Sequence, residues 1–173
     1  MPDDGVGGGT WPPRIPASAG ALVRDDEGRL LILKPTYKSG WTIPGGVVEA
    51  DGESPWEACR RETREETGLD VEFGRLVCVD FLRPRPGRPG GVRFLFDCGQ
   101  FGPDVLQGLV VQAEEISEYR LLDPQDAVAL LSKPIRRRVK AALRHPRRLT
   151  YLEEGRRPPT RVMRPAEDPL PDE

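Results

Sequence analysis

Three glutamates, Glu62, Glu65 and Glu66, stand close together in a stretch whose flanks specify a helix. At roughly 100° per residue they occupy an arc of about 100°, so three carboxylates share one stripe. Trp56, Cys59 and Thr63 make the neighbouring stripe, and Glu57, Arg60, Arg61 and Arg64 take the remaining face. Like charges at this spacing repel. The order of charges also opposes the helix macrodipole, since three arginines precede a terminal Glu65-Glu66 pair. A hard divalent cation would turn that repulsion into attraction. Oxygen-only donors select magnesium, with manganese as a substitute, over zinc, and magnesium keeps several waters and takes substrate phosphates in its shell. The competing reading is a solvated acidic face. Two features argue against it: Arg61 sits four residues before Glu65 and can hold it, and Gly45-Gly46 lets backbone approach the carboxylates closely. The single histidine, His145, lies between a basic run and Pro146, so acid-base work falls to carboxylates.

The helix that must carry these groups is specified at both ends. Ser54 is placed as N-cap, Pro55 at the first helical position, Glu57 to complete a capping box and Gly68 to terminate, predicting a helix over 55–67. Aliphatic runs at 19–24 and 29–34, separated by Asp25-Asp26-Glu27-Gly28, predict an opening hairpin. Residues 47–49 are a candidate short strand. Runs at 71–83 and 92–101 flank a Pro/Gly-rich loop and predict a second hairpin, with one more strand at 119–122. A short helix is expected over 124–131. A last one starts near Pro134, with Ile135, Val139, Ala142 and Leu143 on one face. Strands before and after a well-capped helix favour a mixed α/β layer arrangement.

Composition bounds the remaining choices. The chain has 173 residues, 37% hydrophobic and 31% charged, with a mean hydropathy of -0.51. No run of about 18 apolar residues exists, so a membrane partner is not expected. A net charge of -2 is too near neutral to imply a polyanion partner for the whole protein. Cys59, Cys78 and Cys98 form no CxxC pair and read as buried thiols. Residues 1–10 lack the basic start and apolar run of a signal peptide, so a cytoplasmic location is expected. Glycine and proline, 19 of each, crowd the ends. The expected organisation is therefore a disordered segment over 1–16, one folded domain over 17–145, and a Pro/Arg-rich, disordered tail over 146–173.

The stretch Gly46-Val-Val-Glu49-Ala-Asp-Gly-Glu53, followed by Arg61-Glu62-Thr63-Arg64-Glu65-Glu66-Thr67-Gly68-Leu69, resembles the Nudix box of the Nudix hydrolase family. The gap from Glu53 to Arg61 and the Arg-Glu-x-x-Glu-Glu-x-Gly core match that box. It departs in two places: one extra residue lies between Gly46 and Glu53, and Thr63 replaces a bulky aliphatic. The resemblance implies an α/β/α sandwich around a mixed sheet. It also implies hydrolysis of a nucleoside diphosphate linked to another group, of nucleotide-sugar or nucleoside triphosphate type. By position, Glu62, Glu65 and Glu66 would be magnesium ligands, Arg61 their orienting residue, Glu53 a supporting or additional ligand, and Gly46 a carbonyl contact.

The family often adds a glutamate from beyond the box as base or ligand, and Glu114, Glu115 and Glu118 are available, with Glu115 favoured. Pro84, 15 residues after Leu69, stands where a proline marks ADP-ribose pyrophosphatases of the family, although this loop is proline-rich throughout. Candidate substrate contacts are Trp41, for stacking on a base, and Arg83, with Arg85 and Arg88 of the same loop, for phosphate; the plainer alternatives are core packing for Trp41 and loop solvation for the arginines. Eight basic residues and no acid occur over 133–148. They suit a solvated helix face, with RNA contact as the alternative. The expected partner is a small nucleotide, with an RNA 5′-end substrate and a non-catalytic nucleotide-sensing module as alternatives. A homodimer is left open.

Overall fold

A computed structural model describes residues 14–159. The elements in chain order are β1 (Ala17–Asp25), β2 (Leu30–Pro35), β3 (Gly45–Val47), α1 (Pro55–Thr67), β4 (Arg75–Leu82), β5 (Gly91–Phe101), the one-turn α2 (Pro103–Leu106), β6 (Ile116–Leu122), α3 (Pro124–Leu130), α4 (Lys133–Arg144) and β7 (Thr150–Glu153). Seven strands form one sheet in the order β6-β2-β1-β5-β4-β7, and β3 pairs with β1. The β1–β5 and β4–β7 pairs are parallel and the others antiparallel, so the sheet is mixed.

Both faces of the sheet are covered. On one, Ala21, Val23, Leu31 and Leu33 pack with Ala58 and Cys59 of α1. On the other, Leu22, Leu30, Ile32 and Leu95 pack with Ala127 of α3 and Val139 and Ala142 of α4. This two-sided burial explains why β2 begins with four consecutive aliphatic residues, all fully buried, instead of alternating. The arrangement is the layered α/β class expected from the element pattern and the α/β/α sandwich that the resemblance implied. All three cysteines are buried and free. Among the described residues no helix is long and apolar enough to cross a membrane.

Three of the departures from the sequence reading change where elements start or end. The strand expected from residue 71 starts at Arg75, because the preceding loop is tied to α1. Arg60 donates to the Val71 carbonyl at 2.9 Å, Leu69 and Val71 are buried in the α1 core, and a Cβ on Gly74 would overlap the Trp56 ring. The one-turn α2 was not expected. Order also continues beyond His145, against the expected boundary of the folded domain. β7 pairs in parallel with β4, and Leu152 is 2% exposed in the α4 core. Only one large apolar side chain of this four-residue strand is buried, so composition concealed it. The remaining residues of the expected disordered ends, 1–13 and 160–173, lie outside the described residues.

Candidate active site

α1 carries the acidic stripe, and its ends lock its register. The Glu57 N–H donates to Ser54 Oγ at 3.2 Å and the Ser54 N–H donates back to Glu57 Oε2 at 2.8 Å, while Gly68 closes the helix at a φ of 73°. Thr63, which replaces an aliphatic residue, is fully buried but not orphaned. Its hydroxyl donates to the Cys59 carbonyl at 2.7 Å, so the helix itself satisfies the polar group.

Arg61 is the hub of the acidic cluster. Its guanidinium donates to both oxygens of Glu53 at 2.8 and 3.1 Å, to Glu62 at 2.9 Å, to Glu65 at 3.1 Å and to the Val47 carbonyl at 3.0 Å. The paired Glu53 carboxylate, chiefly, holds the guanidinium well above its ordinary range, and Arg61 in turn lowers Glu53. The extra residue before Glu53 is absorbed locally. Glu49 N–H donates to Glu53 Oε2 at 2.9 Å, Glu53 N–H donates to Asp51 at 3.0 Å, and Gly52 turns the chain at a φ of 104°.

Deeper in, Glu66 is only 4% exposed and accepts the Gly45 N–H at 2.7 Å. Burial, aided by the neighbouring Glu62 and Glu115 carboxylates, pushes it up to about 7 against that hydrogen bond and a nearby Lys38. Burial also raises Glu62; Arg61 opposes the rise, and Glu65 and Glu115 add to it. Glu62, Glu66 and Glu115 therefore share one electrostatic neighbourhood. Glu115 enters it because the loop before β6 is laced to both sides: Gln112 N–H donates to the Glu66 carbonyl at 3.3 Å and Thr36 N–H to the Glu115 carbonyl at 2.8 Å. Gly45 and Gly46 are needed for close approach. Gly45 has a φ of 138°, and a Cβ on Gly46 would overlap the Glu62 carboxylate.

These groups suit a hard cation. Every side-chain donor is a carboxylate oxygen, and burial, with a smaller contribution from neighbouring carboxylates, raises Glu62 and Glu66, a cost that a bound cation would offset. Among the described residues no three acids converge at ligating distance; Arg61 instead spans Glu62 and Glu65, whose side chain is 51% exposed. Ligation thus calls for side-chain rotation about Arg61, not a change of fold.

A cleft of about 320 Å³ opens beside the cluster, walled by Gly45, Gly46, Tyr37, Lys38, Arg93 and Arg138 among others. None of the four side chains was singled out from sequence. Nothing in their spacing marks them, because β5, α4 and the β2–β3 connection meet here only through the sheet. Two candidate substrate contacts lie elsewhere, Trp41 in the core packing weighed as its plainer alternative. Trp41 is buried in the α4 core with Arg120 4.7 Å above its ring and its carbonyl accepting from Ser132, so it packs instead of lining the cleft. Arg83 is bound to Glu153 at 2.7 Å, and its N–H to Glu154 at 2.8 Å, which ties β4 to β7. Glu118 pairs with Arg120 at 2.7 Å, and the Glu114 carbonyl accepts from the Thr36 hydroxyl at 2.7 Å.

A MutT-like protein from Streptomyces ambofaciens is 45% identical over 70 residues, 40% of this chain and 45% of that protein. An RNA pyrophosphohydrolase from Halorhodospira halophila is 44% identical over 52 residues, 30% of this chain and 28% of that protein. The chain thus spans less than half the length of either relative. The crystal structure of the MutT protein from Methanosarcina mazei superposes with a TM-score of 0.61 at 23% identity, over 77% of this chain and 96% of that one, a likeness of fold. The family model described as the NUDIX domain matches residues 14–143, from before β1 almost to the end of α4, and the chain belongs to that family.

Proposed function

We propose that the protein is a magnesium-dependent hydrolase that cleaves the pyrophosphate bond of a nucleoside diphosphate linked to another group, releasing a nucleotide monophosphate or its equivalent. The observation that carries this reading is the buried Glu66 carboxylate, with Glu62 and Glu115 acting on it electrostatically, held by the Gly45 N–H beside a cleft walled by glycine backbone and cations. Glu62, Glu65, Glu66 and the Gly46 carbonyl would hold the ion, with manganese as a substitute. When bound, the metal neutralises phosphate oxygens and orients a water. Arg61 keeps three carboxylates in place through four hydrogen bonds and is itself anchored by a fifth to the Val47 carbonyl. Glu115 takes the proton of the attacking water, and Lys38, Arg93 and Arg138 supply positive charge along the phosphate path.

The test is a screen of nucleoside di- and triphosphate compounds with magnesium, products identified by mass, with Glu66→Gln as the control. Metal-dependent cleavage that the variant loses is expected. A folded wild-type protein that binds nucleotide but cleaves nothing would instead support a sensing module. A second reading, action on RNA 5′ ends, draws support from the name of the Halorhodospira relative and from the basic residues of α4. A steep fall of RNA affinity with salt would favour it.

A further inference from the structure

The β4–β5 loop, the turn after β7 and the start of α4 enclose a second cleft of about 440 Å³. Arg85, Arg88, Lys133, Arg137 and Arg156 line it, against the carboxylates of Asp80 and Glu154. Both acids are already engaged. Glu154 pairs with Arg85 at 3.1 Å and accepts the Arg83 N–H, while Asp80 accepts the Gly155 N–H at 2.9 Å and lies 3.8 Å from Arg138. Among the described residues, Arg88, Lys133 and Arg156 have no carboxylate within ion-pair distance. The helix beginning here adds to the imbalance. α4 has no acid in its first turn and no side-chain cap from Ser132, yet Lys133 and Arg137 sit at its positive end, an arrangement that an anion relieves.

The cleft lies next to the cleft of the candidate active site. Asp80 and Arg93 are register partners on β4 and β5; Arg93 and Arg138 both face the Gly45–Gly46 cleft; and Arg93 also lines a small cavity with Arg85 and Arg88. Among the described residues no aromatic side chain lines the 440 Å³ cleft, so a nucleobase would find no stacking surface on them. We propose that this cleft is a second anion-binding site that takes a compact polyphosphorylated group, apart from the carboxylates that would hold metal. The site does not depend on the proposed hydrolase activity.

Calorimetric titration of the full chain with inorganic tripolyphosphate, in EDTA so that no turnover occurs, tests it. Saturable binding that weakens as salt rises is expected, with affinity at least about tenfold lower in the double variant Arg88→Ala, Lys133→Ala. Both side chains are exposed and without acidic partners, so an unchanged melting temperature in that variant is also expected. No binding by the wild type, or equal affinity in the double variant, overturns the site. Steady-state assays in excess magnesium separate the two sources of such a group. A rise in KM caused by tripolyphosphate and abolished in the double variant identifies the site with distal phosphates of the substrate itself. Binding that leaves KM and kcat unchanged identifies a separate ligand, and both results retain the site.

Discussion

Glu66 holds a proton more tightly in the folded chain than in the unfolded one, and this has a sign that can be measured. With a folded value raised to about 7, its contribution to stability is fully present below the unfolded value near 4.5 and is lost as pH rises through 7. The shift corresponds to about 3 kcal/mol, and the raised Glu62 acts in the same direction. Melting curves in EDTA should therefore show the wild type losing stability between pH 5 and 8, with the loss much reduced in Glu66→Gln. Magnesium should stabilise the wild type at pH 8 but not the variant. Parallel wild-type and variant profiles would refute the assignment of Glu66. Arg61 makes a second case. Lysine carries the charge but cannot fork onto Glu53 while reaching Glu62 and Glu65. Arg61→Lys should therefore lower kcat about 10–100-fold, with little change in melting temperature. A near-normal rate would show that charge alone suffices.

At the scale of elements, the short β3 strand and α1 are fitted to each other through a missing side chain. A methyl group at Gly46 would meet the end of the Glu62 side chain, which can swing away cheaply, so Gly46→Ala should fold with nearly normal stability. The displaced carboxylate should weaken magnesium binding, read as a smaller metal-induced rise in melting temperature and a lower rate. Full retention of both would mean that Glu62 does not serve from this position. α1 was legible from sequence because its code is local: Ser54, Pro55, Glu57 and Gly68 act within a few residues of the ends they define. The true start of β4 was not, since the loop after α1 is shaped by Arg60 and Trp56, more than ten residues away; α2 is a single turn that no capping side chain marks.

For the whole molecule, the least expected contributor is the last strand. Leu152 reaches the α4 core and Glu153 binds Arg83, so β7 fastens the edge of the sheet. Leu152→Ala should cost about 2–5 kcal/mol, visible in denaturant unfolding, whereas a cost near zero would mean that the strand only rests on the surface. The sequence by itself determined the capped helix, the acidic stripe with Arg61 beside it, and the layered α/β class. Those depend on residue type and on spacings of a turn or two. Tertiary structure alone decided that Trp41 faces the core, that Arg83 serves β7, and that Lys38, Arg93 and Arg138 meet beside Gly45 and Gly46. These side chains sit on segments tens of residues apart, and their meeting follows from strand order and register, which no short stretch of chain encodes.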